Sequence, residues 1–319
     1  SFEQNNKNDN FTEIYSSRTI LENDPTGLAR PIWSDLDGRY KAAAESFENK
    51  QAQLNVHSKT EEEKNLPDYL SSTPTHLILP EKKISWDENY WIDYVKKASE
   101  AMKEYPELIY SDISVDFRNA HIYYYNTEGT QYAIPDPHFR LRLDVSLITP
   151  EGHQLSDQFN IEHATIERLP DLDEYIQKCN AFAKEFVKLH GSKMIDESYI
   201  GPVLIEDMAV GEAVYSIFLG FGNSLVARRT NGTEGFLNRK LVSRSLSLQS
   251  ISGLKTYGGK ELEGYFPIDA EGVVPDKEFY LIEDGVLRNM LNGRTPTKKI
   301  KKSNGHFRYS LFTRSAHIF

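Results

Sequence analysis

The sequence is poor in the features that define several protein classes. Its 319 residues include a single cysteine, Cys179, which excludes an internal disulfide and any metal site built from several cysteines. No apolar run reaches the ~18 residues that a membrane-spanning helix requires. Acidic residues outnumber basic ones, 47 to 37, and the resulting net charge of −10 and pI near 5.5 argue against a nucleic-acid partner.

Short catalytic motifs are missing as well. The sequence contains no GxSxG nucleophile elbow, no P-loop and no GxGxxG dinucleotide fingerprint. Its nine histidines are scattered, and none forms an HxxxH or HxH pair. Cys179 falls on the apolar side of a helical pattern, which predicts a packed core thiol rather than a catalytic one.

One basic run stands out against the acidic composition. Lysines occur at positions 298, 299, 301 and 302, in a segment without interleaved aromatic residues. We interpret this run as a solvated edge of a loop or strand, and phosphate binding is the less favoured alternative.

Apolar spacing predicts three helices in the first two thirds of the chain. The first begins at Ser34, which can cap it, and continues to about residue 63. The second follows a capping-box pattern at Ser85 and Glu88. The third occupies residues 170–190.

The remaining segments predict strands. Residues 108–163 alternate with a period of two, with Gly-bearing hairpin turns at 126–130 and 149–153 and further breaks near residues 120 and 135–139. After residue 195 the strand-like segments are 223–230, 240–252, 264–268, 278–291 and 306–313. The predicted fold is α+β: an irregular segment 1–33, an amino-terminal domain 34–195 of helices and antiparallel sheet, and a mainly β carboxy-terminal domain 196–319.

Three carboxylates are concentrated in GPVLIEDMAVGEAVYS, residues 201–216: Glu206, Asp207 and Glu212. They are candidates for a catalytic role, and Asp207 and Glu212 are also candidate metal ligands. On a regular helix, however, these two side chains point about 140° apart, and oxygen ligands alone favour Mg²⁺ or Ca²⁺. We therefore favour a charged helix entrance without a metal, where Glu206 and Asp207 lie near the positive end of the helix dipole. His306, on a Gly-bearing turn, is a further candidate for a polar contact to substrate, beside the simpler role of a turn residue.

Several ordered segments resemble the TldD/PmbA family of peptidases. Residues 199–214 (YIGPVLIEDMAVGEAV), 264–295 and 303–308 (SNGHFR) resemble segments of the family's second half. The helix beginning WDENYW and the hairpin YYYNTEGT resemble segments of its first half. The resemblance extends over residues 34–308 and is strongest to the group called TldD-related metallopeptidases.

This resemblance implies a dimer that encloses a chamber, in which extended peptides bind as an added strand and are cut. Active family members carry an HExxxH zinc motif where this sequence has Asp207 to Glu212. Acids replace both histidines, and Met208 replaces the catalytic glutamate, so we expect no cofactor; zinc is expected only if the site is divergent. Family chains also continue beyond the SNGHFR segment and supply a further cysteine ligand, so we expect the carboxy-terminal domain to be incomplete at its end.

Three functional hypotheses follow. The first is a non-catalytic subunit that binds extended peptides or supports a proteolytic dimer, formed with a second copy or with a paralogue. The second is an active metallopeptidase with a divergent site that uses Glu206, Asp207, Glu212 and residues from the expected further part of the carboxy-terminal domain. The third is an exported binding or assembly protein on the same fold. The related group and the non-Met start favour export to a bacterial periplasm, with the cytoplasm as the alternative.

Overall fold

The computed structural model describes residues 24–56, 66–193, 197–206, 208–219, 233–262, 264–310 and 315–318. Their contacts divide the chain into two compact units. The central unit is His76–Leu204, and the terminal unit combines the described parts of Ser1–Thr75 and Ile205–Phe319. Both contain helices and strands, which confirms the α+β class. No helix in these ranges is long and apolar enough to cross a membrane.

The central unit is a four-stranded sheet with two helices. Its elements are β1 (His76–Ile78), α2 (Glu88–Ala101), β2 (Leu108–Tyr125), β3 (Gln131–Ile148), β4 (Gln154–His163) and α3 (Leu172–Val187), and α1 (Pro25–Val56) precedes them in the terminal unit. β2 pairs antiparallel with one edge of β3, while β1, parallel, and β4, antiparallel, share the other edge. The predicted hairpins are present, with Gly129 at φ 98° and Gly152 at φ 87°.

The strand breaks predicted near residues 120 and 135–139 are wrong. β2 and β3 pair residue by residue from Tyr110 to Tyr125, so Ala120 lies within a continuous strand. Pro135 and Pro137 fit into β3 because the backbone groups at these two positions point away from β2. Leu79 N–H donates to Ala133 O at 2.8 Å, so the odd-numbered residues of β3 turn their backbone groups away from β2. The missing N–H groups of the two prolines therefore remove no bond from the β2–β3 ladder.

The same alternation determines the outer edge of β2. Tyr123 pairs with Ala133, whose backbone groups point away from β2, so Tyr123 directs its own N–H and C=O away from β3. Among the described residues, no strand pairs with this outer edge of β2.

The core of the central unit lies between the sheet and its two helices. Leu141, Leu143 and Leu147 alternate along β3 and are fully buried against the predicted apolar faces of α2 and α3. Cys179 on α3 is fully buried too, and burial raises the pKa of its thiol to about 11. The predicted core thiol is confirmed.

Aspartates determine where two of the helices begin. α1 begins at Pro25 rather than at Ser34, because the Asp24 carboxylate accepts the N–H groups of Thr26 and Gly27 at 3.1 and 3.0 Å. The predicted irregular segment 1–33 is therefore helical from residue 25. α2 is capped by Asp87, which accepts the N–H of Tyr90 at 3.1 Å, and not by Ser85.

The terminal unit combines helices with short strands. Besides α1, its elements are α4 (Met208–Leu219), β5 (Leu248–Ser250), β6 (Thr256–Tyr257), β7 (Lys260–Glu261), β8 (Phe279–Glu283), β9 (Val286–Leu287), β10 (Phe307–Ser310) and β11 (Ser315–Ile318). Residues 264–268 are not a strand, because the backbone turns where Tyr265 N–H donates to Leu262 O. A similar turn at Ser243 and Leu246 limits the strand predicted over 240–252 to β5. The predicted strand 223–230 lies outside the described residues.

Residues 66–75, here called the strap, belong to the terminal unit. Leu70 N–H donates to Arg294 O at 2.7 Å, and Lys50 of α1 forms an ion pair with Asp68. The division by contacts therefore differs from the predicted domain 34–195: α1 and the strap group with the carboxy-terminal segments because these long-range contacts hold them there.

Candidate functional site

The acidic segment identified in the sequence lies at the beginning of α4. Glu206 is exposed, and its carbonyl accepts the N–H of Ala209 at 3.2 Å. Glu212 is exposed on α4, and Asp207 lies outside the described residues. Within the ranges that the structure describes, no three His, Cys, Asp or Glu side chains are grouped so that they could hold a metal ion. Glu206, Glu212 and His306 therefore do not form a metal centre together.

His306 lies inside the terminal unit, with an exposure of 3%. Its Nδ1 is 2.8 Å from Asn304 O, so this nitrogen carries the proton and donates it. Its Nε2 then accepts from the hydroxyls of Ser250 and Ser252, each at 3.1 Å. Burial lowers the pKa of the imidazole, which favours this neutral tautomer. These contacts link the segment after Asn304 to β5 and leave neither ring nitrogen available to a substrate.

A buried group of charges was not predicted from the sequence. Asp269 is 1% exposed. Its Oδ1 accepts the N–H groups of Glu271 and Val273 at 3.0 and 2.8 Å, and its Oδ2 accepts the N–H of Phe307 at 3.2 Å. One carboxylate thus closes the 269–273 loop and attaches it to β10. The sequence does indicate buried carboxylates here, because Asp269 and Glu271 are the two acids in the otherwise apolar segment PIDAEGVV.

Glu271 and Arg294 connect this loop to the strap. Glu271 Oε2 accepts the backbone N–H of Arg294 at 2.5 Å. The Arg294 side chain is 1% exposed, donates from Nε to Leu70 O at 2.7 Å and lies 4.1 Å over the ring of Tyr69. A buried guanidinium therefore joins segments that are distant in the sequence.

Burial controls the protonation of the two acids. It raises the pKa of Asp269 to about 6, against the opposing effect of its backbone donors and of Arg294. It raises the pKa of Glu271 to about 8, with a further contribution from the negative charge of Asp269. At neutral pH Glu271 is thus mainly protonated, and the charges of Asp269 and Arg294 balance each other. This arrangement favours a structural role for the three residues.

A reciprocal pair of buried asparagines holds the neighbouring loop. Asn292 N–H donates to Asn304 Oδ1 at 2.8 Å, and Asn304 N–H donates to Asn292 Oδ1 at 2.6 Å. Their amide groups donate in turn to Lys302 O and Met290 O. Every one of these bonds is local to residues 290–304, so the pair fixes the path of this loop.

We expect Gly305→Ala to destabilise the terminal unit by about 2–4 kcal/mol. Gly305 has φ 73°, and a Cβ there would lie 2.6 Å from the Cα of Pro275. Denaturant unfolding of the variant measures the loss. Gly235→Ala is the matched control, because nothing lies within 4 Å of a Cβ at that position. Equal stabilities of the two variants would contradict the strain described for Gly305.

A family profile matches the part of the chain that contains these contacts. Residues 198–318 match the PmbA/TldA metallopeptidase C-terminal domain. Over this region the chain is similar to the TldD/PmbA family. The resemblance inferred from the sequence motifs is thereby confirmed. No curated protein is significantly similar to the chain.

Two solved structures share the TldD/PmbA-like fold. A proposed modulator of a DNA gyrase from Thermotoga maritima is 19% identical, with a TM-score of 0.56 over 83% of this chain and 58% of that chain. A proposed modulator of DNA gyrase from Bacteroides thetaiotaomicron is 16% identical, with a TM-score of 0.55 over 84% of this chain and 60% of that chain. The chain therefore spans about three fifths of the length of these proteins.

The described residues do not fit the zinc that the TldD/PmbA resemblance implies. Zinc in proteins prefers imidazole nitrogen and thiolate sulfur ligands. Residues 197–219 contain neither histidine nor cysteine, and Glu206 and Glu212 offer only exposed carboxylates. His306 supplies no ligand because both its nitrogens are engaged.

Proposed function

We propose that this chain is a non-catalytic TldD/PmbA-type subunit that binds extended peptides by strand addition. The free edge of β2 is the observation that carries the proposal. β2 is 18 residues long, whereas β4 at the opposite edge has 10. An unpaired edge presents N–H and C=O groups to any extended chain, so its length sets how many residues a peptide can pair.

The side chains at the end of β2 support the same proposal. Tyr123 and Tyr125 are 64% and 66% exposed, next to the hairpin at Gly129. Exposed aromatic rings beside an open edge add apolar contacts to the main-chain bonds of an incoming strand. The family resemblance supports a dimer, with a second copy or with a paralogue, as the form in which this subunit works.

Replacing Tyr123 by proline is expected to weaken peptide binding about tenfold or more, because it removes an outward N–H from the free edge. The β2–β3 ladder keeps its bonds, since Tyr123 directs its backbone groups away from β3. Fluorescence anisotropy with labelled, unstructured peptides measures the affinity. Tyr123→Ala is the control: it removes the same ring but keeps the N–H, and it should bind within about threefold of the unmodified chain. Equal affinity of the proline and alanine variants would overturn the strand-addition proposal.

We propose that the subunit is not catalytic because of the residues that occupy the positions of the zinc motif. Asp207 and Glu212 stand where the family resemblance implies histidines, and Met208 has no group that could accept a proton from water. An active peptidase with a divergent site is the competing candidate, because carboxylates can still bind divalent cations.

Metal analysis separates these two candidates. After gel filtration in zinc-containing buffer, we expect the purified chain to retain much less than one zinc per molecule. The Asp207→Ala/Glu212→Ala variant should retain the same small amount. Stoichiometric zinc that is lost in this variant, together with chelator-sensitive cleavage of unstructured peptides, would replace our proposal by the active peptidase.

A further inference from the structure

A polar cavity of about 370 Å³ lies in the terminal unit, beside the loop that the asparagine pair holds. Four cationic residues line it: Arg288, Lys299, Lys301 and Lys302. Three of them come from the basic run 298–302, for which a solvated edge was the favoured interpretation of the sequence. These three lysines are exposed on a loop, as that interpretation predicts, and they also lie around a concave surface together with an arginine from a different segment.

The charges at this cavity are only partly balanced. Asp276 is the one acid among its lining residues, and its carboxylate lies 3.8 Å from Lys302 Nζ in a loose pair whose lysine is 85% exposed. Glu283 pairs with Arg288 at 3.0 Å on the surface. Such exposed pairs contribute little stability, so an incoming anion can replace them.

Glu234 and Lys301 are the remaining charged residues to consider at this cavity. Lys299 Nζ donates to the backbone carbonyl of Glu234 at 3.2 Å, and the Glu234 carboxylate accepts the Lys299 N–H. Lys301 has no ion-pair partner among the described residues. Four cations therefore face three nearby carboxylates, which leaves a local positive excess on a chain whose net charge is −10.

Backbone hydrogen-bond donors lie in the same loop as these lysines. In the described part of the chain, nothing accepts the N–H groups of Lys301, Lys302 and Ser303, which are consecutive and belong to lining residues. Runs of free backbone N–H groups are a common component of anion sites. The loop is also preorganised, because Asn292 Nδ2 donates to Lys302 O at 2.9 Å and Ser303 Oγ donates to Asn292 O at 3.4 Å.

We propose that this cavity binds the phosphate group of a small molecule. Lysine ammonium groups and free backbone N–H groups suit a phosphate, which offers several oxygens to donors from different directions. The volume lies in the lower part of the range of small-molecule pockets, and Leu237 and Ile300 provide apolar wall for the rest of the ligand. The site is independent of the peptide-binding edge of β2 and of the replaced zinc motif.

Isothermal titration calorimetry of the whole chain with sodium pyrophosphate tests this proposal. We expect saturable one-to-one binding that weakens as salt is added. Lys301→Gln/Lys302→Gln should weaken the affinity about tenfold or more, since it removes two charge-assisted donors. Lys82→Gln/Lys83→Gln is the matched control: it removes the same charge from exposed lysines of the central unit and should leave the affinity within about twofold.

Three results would overturn the proposal. The first is no binding of pyrophosphate at low salt. The second is an equal loss of affinity in the two double variants, which indicates attraction by overall charge only. The third is citrate binding as tightly as pyrophosphate at the same ionic strength, which would assign the cavity to carboxylates. Circular dichroism of both double variants verifies that each is folded, and the exposed positions of these lysines favour this.

Discussion

Replacement of Arg294 by methionine is expected to lower the free energy of unfolding of the terminal unit by about 3–5 kcal/mol. The guanidinium is 1% exposed and is the countercharge for the Asp269 carboxylate. Methionine fills a similar volume but leaves Asp269 as a buried charge without a cation. It also removes the bond from Arg294 Nε to Leu70 O and the stacking on Tyr69, so the strap loses two of its contacts.

Hydrogen exchange measured by mass spectrometry reports this loss by region. Peptides from residues 66–75 and 264–307 should lose protection in the Arg294→Met variant, while peptides from the central unit provide an internal reference. Arg288→Met is the control, because this arginine is exposed and forms one surface ion pair, worth less than about 1 kcal/mol. If both variants exchange alike, Arg294 does not hold the strap.

Raising the pH from 6.5 to 8 is expected to destabilise the terminal unit, and Glu271→Gln should remove most of this dependence. The folded-state pKa of Glu271 is about 8, above its ordinary value of 4.5, so the folded state binds the proton more tightly than the unfolded state. Stability is therefore greatest below pH 4.5 as far as Glu271 is concerned, falls between pH 4.5 and 8, and is constant above that range. The total contribution over this range is on the order of 5 kcal/mol.

Above pH 6.5 the pH dependence of stability reports mainly on Glu271 and much less on the neighbouring titratable groups. Asp269 acts in the same direction but titrates near pH 6, and His306, whose pKa is lowered, acts in the opposite direction below 6.5. Exchange rates corrected for the intrinsic effect of pH give the stability at each point. Gln keeps an oxygen that can accept the Arg294 N–H, and Glu283→Gln is the control at an exposed carboxylate. An unchanged slope in the Glu271→Gln variant would show that another group causes the dependence.

Local patterns in the sequence predicted much of the central unit. The apolar faces of α2 and α3 and the glycines of two hairpins each depend on residues that are neighbours along the chain. The start of α2 was misplaced because Asp87 competes with Ser85 as a cap, and only the geometry shows which side chain reaches the Tyr90 N–H. The continuous length of β2 and β3 was missed because each was divided into two shorter strands, whereas the pairing runs without a gap through Ala120 and through Pro135 and Pro137.

Local sequence patterns predicted little of the candidate site in the terminal unit. The acidic segment was prominent because its three carboxylates are close in sequence, yet Glu206 and Glu212 are exposed. The interior charges, Asp269, Glu271 and Arg294, are separated by up to twenty-five positions and have no periodicity that would associate them. His306 was identified as a candidate, but its burial against Ser250 and Ser252 depends on contacts more than fifty residues away.

The bond between Arg294 and Leu70 has a consequence for the order of folding. Its partners are 224 positions apart, and the whole central unit lies between them in the chain. During synthesis the strap emerges first and has no Arg294 to bind, while the central unit can fold as soon as its own residues are available. A compact central unit shortens the distance that the unfolded chain must close, which lowers the entropy cost of bringing the strap to Arg294. The terminal unit is therefore the last to be completed, and a ribosome stalled before residue 294 would carry a folded central unit with an unattached strap.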